Sequence, residues 1–301
     1  MPFAEMFFAF AQGFGGSTAQ FLTVPYSSHS ASLGGAGVGQ KGVDFVFANP
    51  GALYRSYNTS AFYASGVFLS EGVFGLSGLT ALRYRDQKFG FAFRYVDYGK
   101  IVGMDSEGYY TGAMYEPLEL AGGFLYAMPL KVGSDSKTSF AKDGKVYLGL
   151  NVYGIYQKFV SEKFGGAADI GVYGLMRRMA EDLQVSFGLA LRGVGQVMPN
   201  YHTPLNVVLG AAASKRLSSY LLRAYVDAGY YVFDSAPLIN AGVEFSYRNF
   251  SVSFGYSLEN SAIAFGVGYY PSGYPSPTAY VASSFVKSVG LSHFVGVGYQ
   301  K

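Results

Sequence analysis

Residues able to do nucleophilic or metal chemistry are few in this chain. It contains no cysteine, and its three histidines, His29, His202 and His293, lie far apart in the sequence. Thiol nucleophiles and structural zinc sites need cysteine or histidine side chains at short, regular spacings. No serine–histidine–aspartate or paired-carboxylate arrangement stands out among the 19 acidic residues. The sequence therefore predicts a protein that is not an enzyme and needs neither metal nor cofactor.

A glycine-rich run at Gly34–Gly39 has the look of a dinucleotide-binding fingerprint. That fingerprint needs a strand before it, a helix after it and an acidic residue about 20 positions further on. None of this context surrounds the run, so we interpret it as a tight turn. Asn49-Pro50-Gly51 is a second turn signature, because proline fixes φ and glycine permits positive φ. Whether these residues only turn the chain or also gate a passage stays open at this stage.

The charged residues argue against a nucleic-acid partner. The chain has 22 Lys and Arg against 19 Asp and Glu, a net charge of +3. The basic residues are scattered singly, whereas nucleic-acid binding requires a basic patch or stripe. No nucleic-acid partner is expected.

Composition points instead to a membrane environment. Half of the residues are hydrophobic and only 14% are charged, against about 25% charged residues in a typical soluble protein. No apolar run is long and unbroken enough for a transmembrane helix; the uncharged stretch from Asn260 to Val286 is interrupted by Pro271, Pro275 and Pro277. Apolar residues that alternate with small and polar ones are typical of a transmembrane β-barrel.

From Thr59 onward the chain shows about fourteen short alternating segments separated by turn residues. We predict strands at 59–68, 73–84, 88–98, 116–129, 145–158, 168–178, 182–194, 204–215, 219–231, 237–247, 250–257, 262–270, 277–285 and 289–299. Longer external connections are predicted at 99–115, 159–167 and 195–203. The Lys131–Gly144 loop is long for the opposite, periplasmic side. The predicted fold class is all-β, an antiparallel transmembrane barrel with both termini in the periplasm of a bacterial outer membrane.

Each predicted strand has one apolar and one small or polar face. In 237–247, for example, Ile239, Val243 and Phe245 oppose Asn240 and Gly242. A soluble sandwich also alternates, but its second face would carry many Lys, Glu and Thr residues. We therefore place the apolar faces against outer-membrane lipid and the small faces toward the lumen. The charged residues predicted to face the lumen are Arg94, Arg192, Arg223, Asp227, Glu244 and Arg248. They would pair with one another or with an inserted segment, or else contact a solute.

The first 55 or so residues lack this alternation and are rich in Gly, Ser and Ala. Residues 1–11 end in an Ala-x-Ala pattern at Ala9 and Ala11, and we interpret them as the remnant of a signal peptide. A barrel of about fourteen strands leaves a lumen too wide for small side chains to fill. Residues 12–57 are therefore predicted to fold inward as a plug, or hatch, and 58–301 to form the barrel.

Several motifs, in order, resemble the FadL-type transporters and their PorV/PorQ relatives. The residues that carry this likeness are Phe21–Pro25, Ser32–Val38, Asn49–Leu53, Pro204–Ala212, Asn240–Phe245 and Gly290–Phe294. The resemblance implies a fourteen-stranded barrel with an N-terminal hatch. It assigns plug or gating roles to Gly34, Gly35, Gly37, Asn49, Pro50 and Gly51.

Two functions follow as expectations. FadL-type members pass fatty acids or other hydrophobic molecules, so the first is passive passage of a small hydrophobic ligand. PorV-type members are accessory subunits of a protein secretion system, so the second is a role beside a secretion or envelope protein partner. The sequence does not decide between them.

Overall fold

The computed structural model of the chain describes residues 17–55, 59–69, 72–104, 109–130, 145–180, 182–198, 201–271, 276–287 and 290–301. The predicted signal-peptide remnant at 1–11 and the Lys131–Gly144 loop lie outside these ranges. Within the described part of the chain, no helix is long and apolar enough to cross a membrane.

Antiparallel strands make up nearly all of the described chain after residue 59. They are β1 (Ser60–Phe68), β2 (Phe74–Tyr84), β3 (Gln87–Asp97), β4 (Ile101–Met104), β5 (Tyr110–Tyr115), β6 (Leu118–Leu130), β7 (Lys145–Lys158), β8 (Glu162–Ala180), β9 (Leu183–Val197), β10 (Tyr201–His202), β11 (Asn206–Leu217), β12 (Tyr220–Tyr231), β13 (Ala236–Tyr247), β14 (Phe250–Ser257), β15 (Ala262–Tyr269), β16 (Ser276–Val286) and β17 (Gly290–Gln300).

Fourteen of these strands, all except β4, β5 and β10, form one closed barrel. Each pairs with its neighbours in the sequence, and β1 closes the ring by pairing along its length with β17. The backbone N–H of Thr59 donates to the carbonyl of Lys301 at 2.7 Å, so both ends of the barrel sequence lie at one rim. We call this rim the terminal end.

All fourteen predicted barrel strands are present, but the connections differ from the prediction. The predicted loop 159–167 is wrong, because β8 already begins at Glu162 and pairs in register with β7 from Lys158 onward. The loop 99–115 contains the separate hairpin β4–β5. The loop 195–203 contains the end of β9 and the short strand β10.

The outward faces of the barrel are apolar and the inward faces are small or polar. Along β13 the side chains of Ile239, Val243 and Phe245 are exposed, whereas Asn240 and Glu244 between them are buried. Strand β15 repeats the pattern across its whole length. An exposed band of this composition is suited to hydrocarbon.

The expectation that this band contacts lipid predicts a strong effect of a charge placed on it. Val243 is 48% exposed near the middle of β13. Because arginine at the bilayer midplane lowers barrel stability by about 2–4 kcal/mol, Val243→Arg should show this loss in urea unfolding from lipid vesicles. Leu217→Arg, at the rim, is the control and should cost about 0–1 kcal/mol. Equal small losses would mean that the band does not face lipid.

Residues 17–55, called here the N-terminal segment, lie along the inward faces of the strands. Their elements are the 3₁₀ helices η1 (Gln20–Thr23), η2 (Val43–Phe45) and η3 (Pro50–Arg55) and the short α-helix α1 (Ser28–Ser32). Helix α1 begins at Ser27, whose hydroxyl accepts the N–H of Ser30 at 3.2 Å. It packs on β14 to β17 and β1, while η3 packs on β3 and β6 to β8. The segment therefore contacts the wall on opposite sides of the barrel.

Candidate functional site: the interior of the barrel

The inward face of the wall lacks side chains where the N-terminal segment runs along it. Six inward glycines, here called the glycine belt, are paired directly across neighbouring strands: Gly149 with Gly171, Gly188 with Gly210, and Gly242 with Gly255. A Cβ added at any of them would lie within 3 Å of the segment, mostly of its backbone. Because these glycines have no side chains, the backbone of the N-terminal segment can contact the backbone of the wall along the belt.

The glycine-rich turn Gly34–Gly39 lies on this track and ends helix α1. Gly34 and Gly35 have φ of 69° and 90°, in the left-handed region that favours glycine. The N–H of Gly35 donates to the carbonyl of Ser30 at 2.8 Å and completes the helix end. Beyond it, the N–H groups of Gly37 and Val38 donate to one carboxylate oxygen of the buried Asp227, at 2.8 and 3.0 Å.

Asn49-Pro50-Gly51 is fixed to the opposite arc of the belt. The Asn49 amide donates to the carbonyls of Val38 at 2.8 Å and Val172 at 3.0 Å, and its oxygen accepts the N–H of Gly51 at 2.9 Å. One fully buried side chain thus ties two parts of the segment to β8. The six residues predicted to plug or gate the lumen all lie at this contact between segment and wall.

Of the charged residues predicted to face the lumen, Arg94 and Arg192 are both inside and both held. The guanidinium of Arg94 donates to the carbonyl of Leu22 at 3.1 Å and lies 4.7 Å from the ring centroid of Phe47. That of Arg192 donates to the amide oxygen of Asn206 at 2.8 Å, from wall to wall. The Asp227 carboxylate holds the segment as described above.

Arg248, the last of the charged residues predicted to face the lumen, lies at the terminal rim. It lies in the turn between β13 and β14 with φ of 52°, is exposed, and has its guanidinium 5.2 Å from the ring centroid of Tyr247. The strand ends at Tyr247, so the alternation of β13 does not set the direction of this side chain. Arg248 lines the mouth of the cavity at this rim.

Glu244 and Arg223 belong to a buried cluster that joins wall and segment, here called the His29 cluster. The Glu244 side chain is fully buried and accepts from Arg223 at 2.6 Å, from Tyr225 at 2.8 Å and from His29 Nε2 at 2.9 Å. His29 Nδ1 lies 2.7 Å from a carboxylate oxygen of Asp44. The histidine itself is in α1, so the cluster holds the segment to β12 and β13.

The His29 cluster was not predicted from the sequence. The three histidines are distant from one another, and the partners of His29 are acids 15 and 215 residues away. The inward position of Glu244 in an alternating strand was the only sequence signal for one partner. Among the described residues, no group of three or more His, Cys, Asp or Glu side chains could hold a metal ion.

Between the His29 cluster and the terminal end lies a cavity of about 1020 Å³. It reaches the turn residues Ser218 and Asn249, and its inner wall includes His29 and Asp44. Much of its lining is polar; examples are Gln40, Gln184, Ser214, Arg216, Ser246 and Arg248. The cavity is a vestibule, open to the terminal rim and suited to water.

The half of the lumen away from the terminal end is packed. Phe21 and Tyr26 of the N-terminal segment form an apolar cluster with Val67, Val197 and Phe294 of the wall. Next to it, the buried Glu119 carboxylate accepts from the Tyr98 hydroxyl and the Gln157 amide. At the far rim, the Ser17 hydroxyl donates to Asp234 at 2.6 Å. The described segment therefore packs against the wall in this half through both apolar contacts and hydrogen bonds.

No protein-family model matches the chain, and no curated protein matches it in sequence. Its fold is similar to that of several solved barrels. The Pseudomonas putida toluene transporter TodX is 10% identical, with 91% of this chain and 96% of that chain covered and a TM-score of 0.56.

Two other barrels are equally similar. The Ralstonia pickettii toluene transporter TbuX is 12% identical, with 93% and 99% covered and a TM-score of 0.53. A Pseudomonas aeruginosa FadL homologue is 9% identical, with 95% and 100% covered and a TM-score of 0.54. Nearly the whole chain is thus similar in fold to these three solved barrels.

Proposed function

We propose that this chain is a non-enzymatic barrel of a bacterial outer membrane that passes small hydrophobic molecules, such as fatty acids or monoaromatic hydrocarbons. The observation that carries the proposal is the closed barrel with an apolar outward face and a small or polar inward face. The fold likeness to barrels described as toluene transporters supports the choice of solute class.

We assign the terminal end of the barrel, where Thr59 and Lys301 meet, to the periplasm; the described N-terminal segment begins at Ser17 on the opposite rim. Short periplasmic turns and longer external connections are the rule in such barrels. At the terminal end, Arg85–Asp86, Ser218–Ser219 and Arg248–Asn249 are tight turns between strands, whereas the β4–β5 hairpin extends from the opposite rim. This orientation makes the vestibule a periplasmic chamber.

Residues 12–57 are proposed as the plug, of which 17–55 are described. The packed half of the lumen supports this role, because a solute from outside would meet the segment before it met the vestibule. Passage then requires the segment to move along or away from the glycine belt. Gly34, Gly35, Gly37, Asn49, Pro50 and Gly51 are the positions at which that movement would begin.

Uptake by cells that express the chain tests the proposal. Labelled toluene and labelled oleate should enter such cells several-fold faster than cells with an empty vector, whereas glucose entry should not change. Heat-dependent mobility of the barrel on gels would show that it is folded and inserted. Entry of both hydrophobic solutes at the vector rate, with folded barrel present, would refute the proposal.

A second candidate is a PorV/PorQ-like accessory subunit of a secretion or surface-attachment complex. It is favoured by one observation, namely that the described segment is held by many hydrogen bonds beside a polar and not an apolar cavity. Such a subunit should remain bound to a larger envelope protein after extraction in mild detergent. Recovery of the barrel alone would exclude this role.

A further inference from the structure

The two ring nitrogens of His29 both face carboxylates. Nδ1 lies 2.7 Å from Asp44 Oδ2 and Nε2 lies 2.9 Å from Glu244 Oε2. A carboxylate only accepts hydrogen bonds, and a neutral imidazole has a hydrogen on only one nitrogen. The geometry is therefore satisfied in full only by the imidazolium, which has a hydrogen on each.

The other groups around the ring agree with a positive charge. Tyr270 places its hydroxyl 2.9 Å from Nδ1, and Tyr280 stacks on the ring with centroids 4.5 Å apart. Arg223 lies on the far side of Glu244 and shares that carboxylate with Tyr225. With His29 protonated, two cations (His29 and Arg223) balance two anions (Asp44 and Glu244), so the buried cluster is neutral.

Loss of the proton from His29 would leave the buried cluster with one net negative charge. One carboxylate would then face a ring nitrogen with a lone pair and no hydrogen, and an unpaired buried charge is costly. His29 and Asp44 both belong to the N-terminal segment, whereas Glu244 belongs to the wall. Either neutral tautomer loses the charge attraction between His29 and the Glu244 carboxylate, so the contact that holds α1 to β13 is weakened.

We propose that His29 is a charged latch, which as an imidazolium holds the N-terminal segment against the barrel wall and on deprotonation lets it go. His29 and Asp44 line the vestibule, so water and hydroxide reach the latch from the terminal end. The consequence for permeation rests on the proposed role of the segment as a plug. The latch itself rests only on the contacts above.

The direction of the pH effect follows from linkage. Burial by itself lowers the pKa of His29, but the charge of Glu244, aided by Tyr280 and by hydrogen bonds to Asp44 and Glu244, raises that pKa well above the ordinary 6.5. A group whose pKa is higher in the docked state stabilises docking below its ordinary pKa. That stabilisation disappears as pH rises through the raised pKa, so the latch opens on the alkaline side.

The absence of cysteine from the chain allows a single reporter. Gln40→Cys places a thiol beside Tyr225, since the amide that it replaces donates to that hydroxyl at 3.2 Å. A bimane fluorophore on this thiol is quenched by nearby tyrosine and brightens when the segment leaves the wall. The full chain is titrated in detergent from about pH 6 to about pH 9.5, a range that starts below the ordinary pKa of histidine and ends below that of tyrosine.

With His29 and its partners unchanged, the bimane fluorescence should be low at the acidic end of the titration and rise several-fold with rising pH. In Asp44→Asn the amide can either accept from or donate to Nδ1, so the segment should stay docked and the fluorescence low at every pH. In His29→Gln the side chain bears no charge, so the segment should be undocked and the fluorescence high at every pH. Asp227→Asn weakens a segment contact that lacks histidine, and should raise the baseline without moving the midpoint.

A flat signal in the unmodified latch, at either level, would overturn the proposal. So would an Asp44→Asn transition at the same pH as in the unmodified latch. Conductance of single barrels in a planar bilayer, measured over the same pH range, separates the two proposals. A rise in fluorescence without a rise in conductance would support the latch and refute the role of the segment as a plug.

Discussion

Valine in place of Gly171 is expected to displace the Asn49-Pro50-Gly51 turn from the barrel wall. A Cβ at this position would collide with the Asn49 amide oxygen and come within 2.8 Å of Pro50 Cδ. The backbone of β8 cannot retreat, because it is paired on both sides with β7 and β9. Overpacking of this kind costs about 1–3 kcal/mol, which is about a 5- to 150-fold rise in the undocked population.

The measurement is cleavage of the N-terminal segment by a protease added to folded barrels in detergent. Gly174→Val is the matched control, because Gly174 lies on the same strand and a Cβ there would meet nothing within 4 Å. Cleavage should accelerate in Gly171→Val and not in Gly174→Val. Equal rates in the two variants would show that the segment does not depend on the glycine belt.

Alanine in place of Glu244 is expected to produce the largest loss of stability, about 3–5 kcal/mol, as is usual when one partner of a buried ion pair is removed. The change leaves the Arg223 guanidinium, the His29 ring and the Tyr225 hydroxyl facing a void. Two cations would then lie close together with one anion, Asp44, to balance them. The free energy of unfolding in urea, from lipid vesicles, measures the loss.

Glu116→Ala is the control for that measurement. The carboxylate of Glu116 also forms an ion pair, at 3.4 Å from Lys100 Nζ, but its side chain is 64% exposed. Exposed pairs contribute about 0–1 kcal/mol. If the two alanine variants unfolded at the same urea concentration, burial of the His29 cluster would not matter for stability.

The barrel was predictable because lipid and lumen impose a period of two on every strand. Segments such as 237–247 and 262–270 therefore appear in the sequence nearly as they appear in the structure. The predicted loop 159–167 failed for a physical reason. Gly165, Gly166 and Ala167 fall within that predicted loop, but in β8 they pair with both β7 and β9 at the far rim.

The interior was predictable only in part. Small inward residues indicated that something packs against the wall, and alternation predicted inward faces for Asp227 and Glu244, which are buried in the structure. Which segment atoms they would meet depends on the path of residues 17–55, which has no repeating pattern. The contact between His29 and Glu244 spans 215 residues and leaves no local sign in the sequence.

The closure of the barrel through β1 and β17 has a consequence for how the protein folds. The N-terminal segment is synthesised before the barrel strands, yet α1 packs on β14 to β17, the last four of those strands. Contacts between such distant residues form slowly, because the entropy of the long intervening chain is lost before the contacts can stabilise the fold. The contact of α1 with the wall can therefore form only after these strands have been synthesised. A polypeptide that lacked β16 and β17 would lose both the β1–β17 pairing that closes the barrel and two of the strands on which α1 packs.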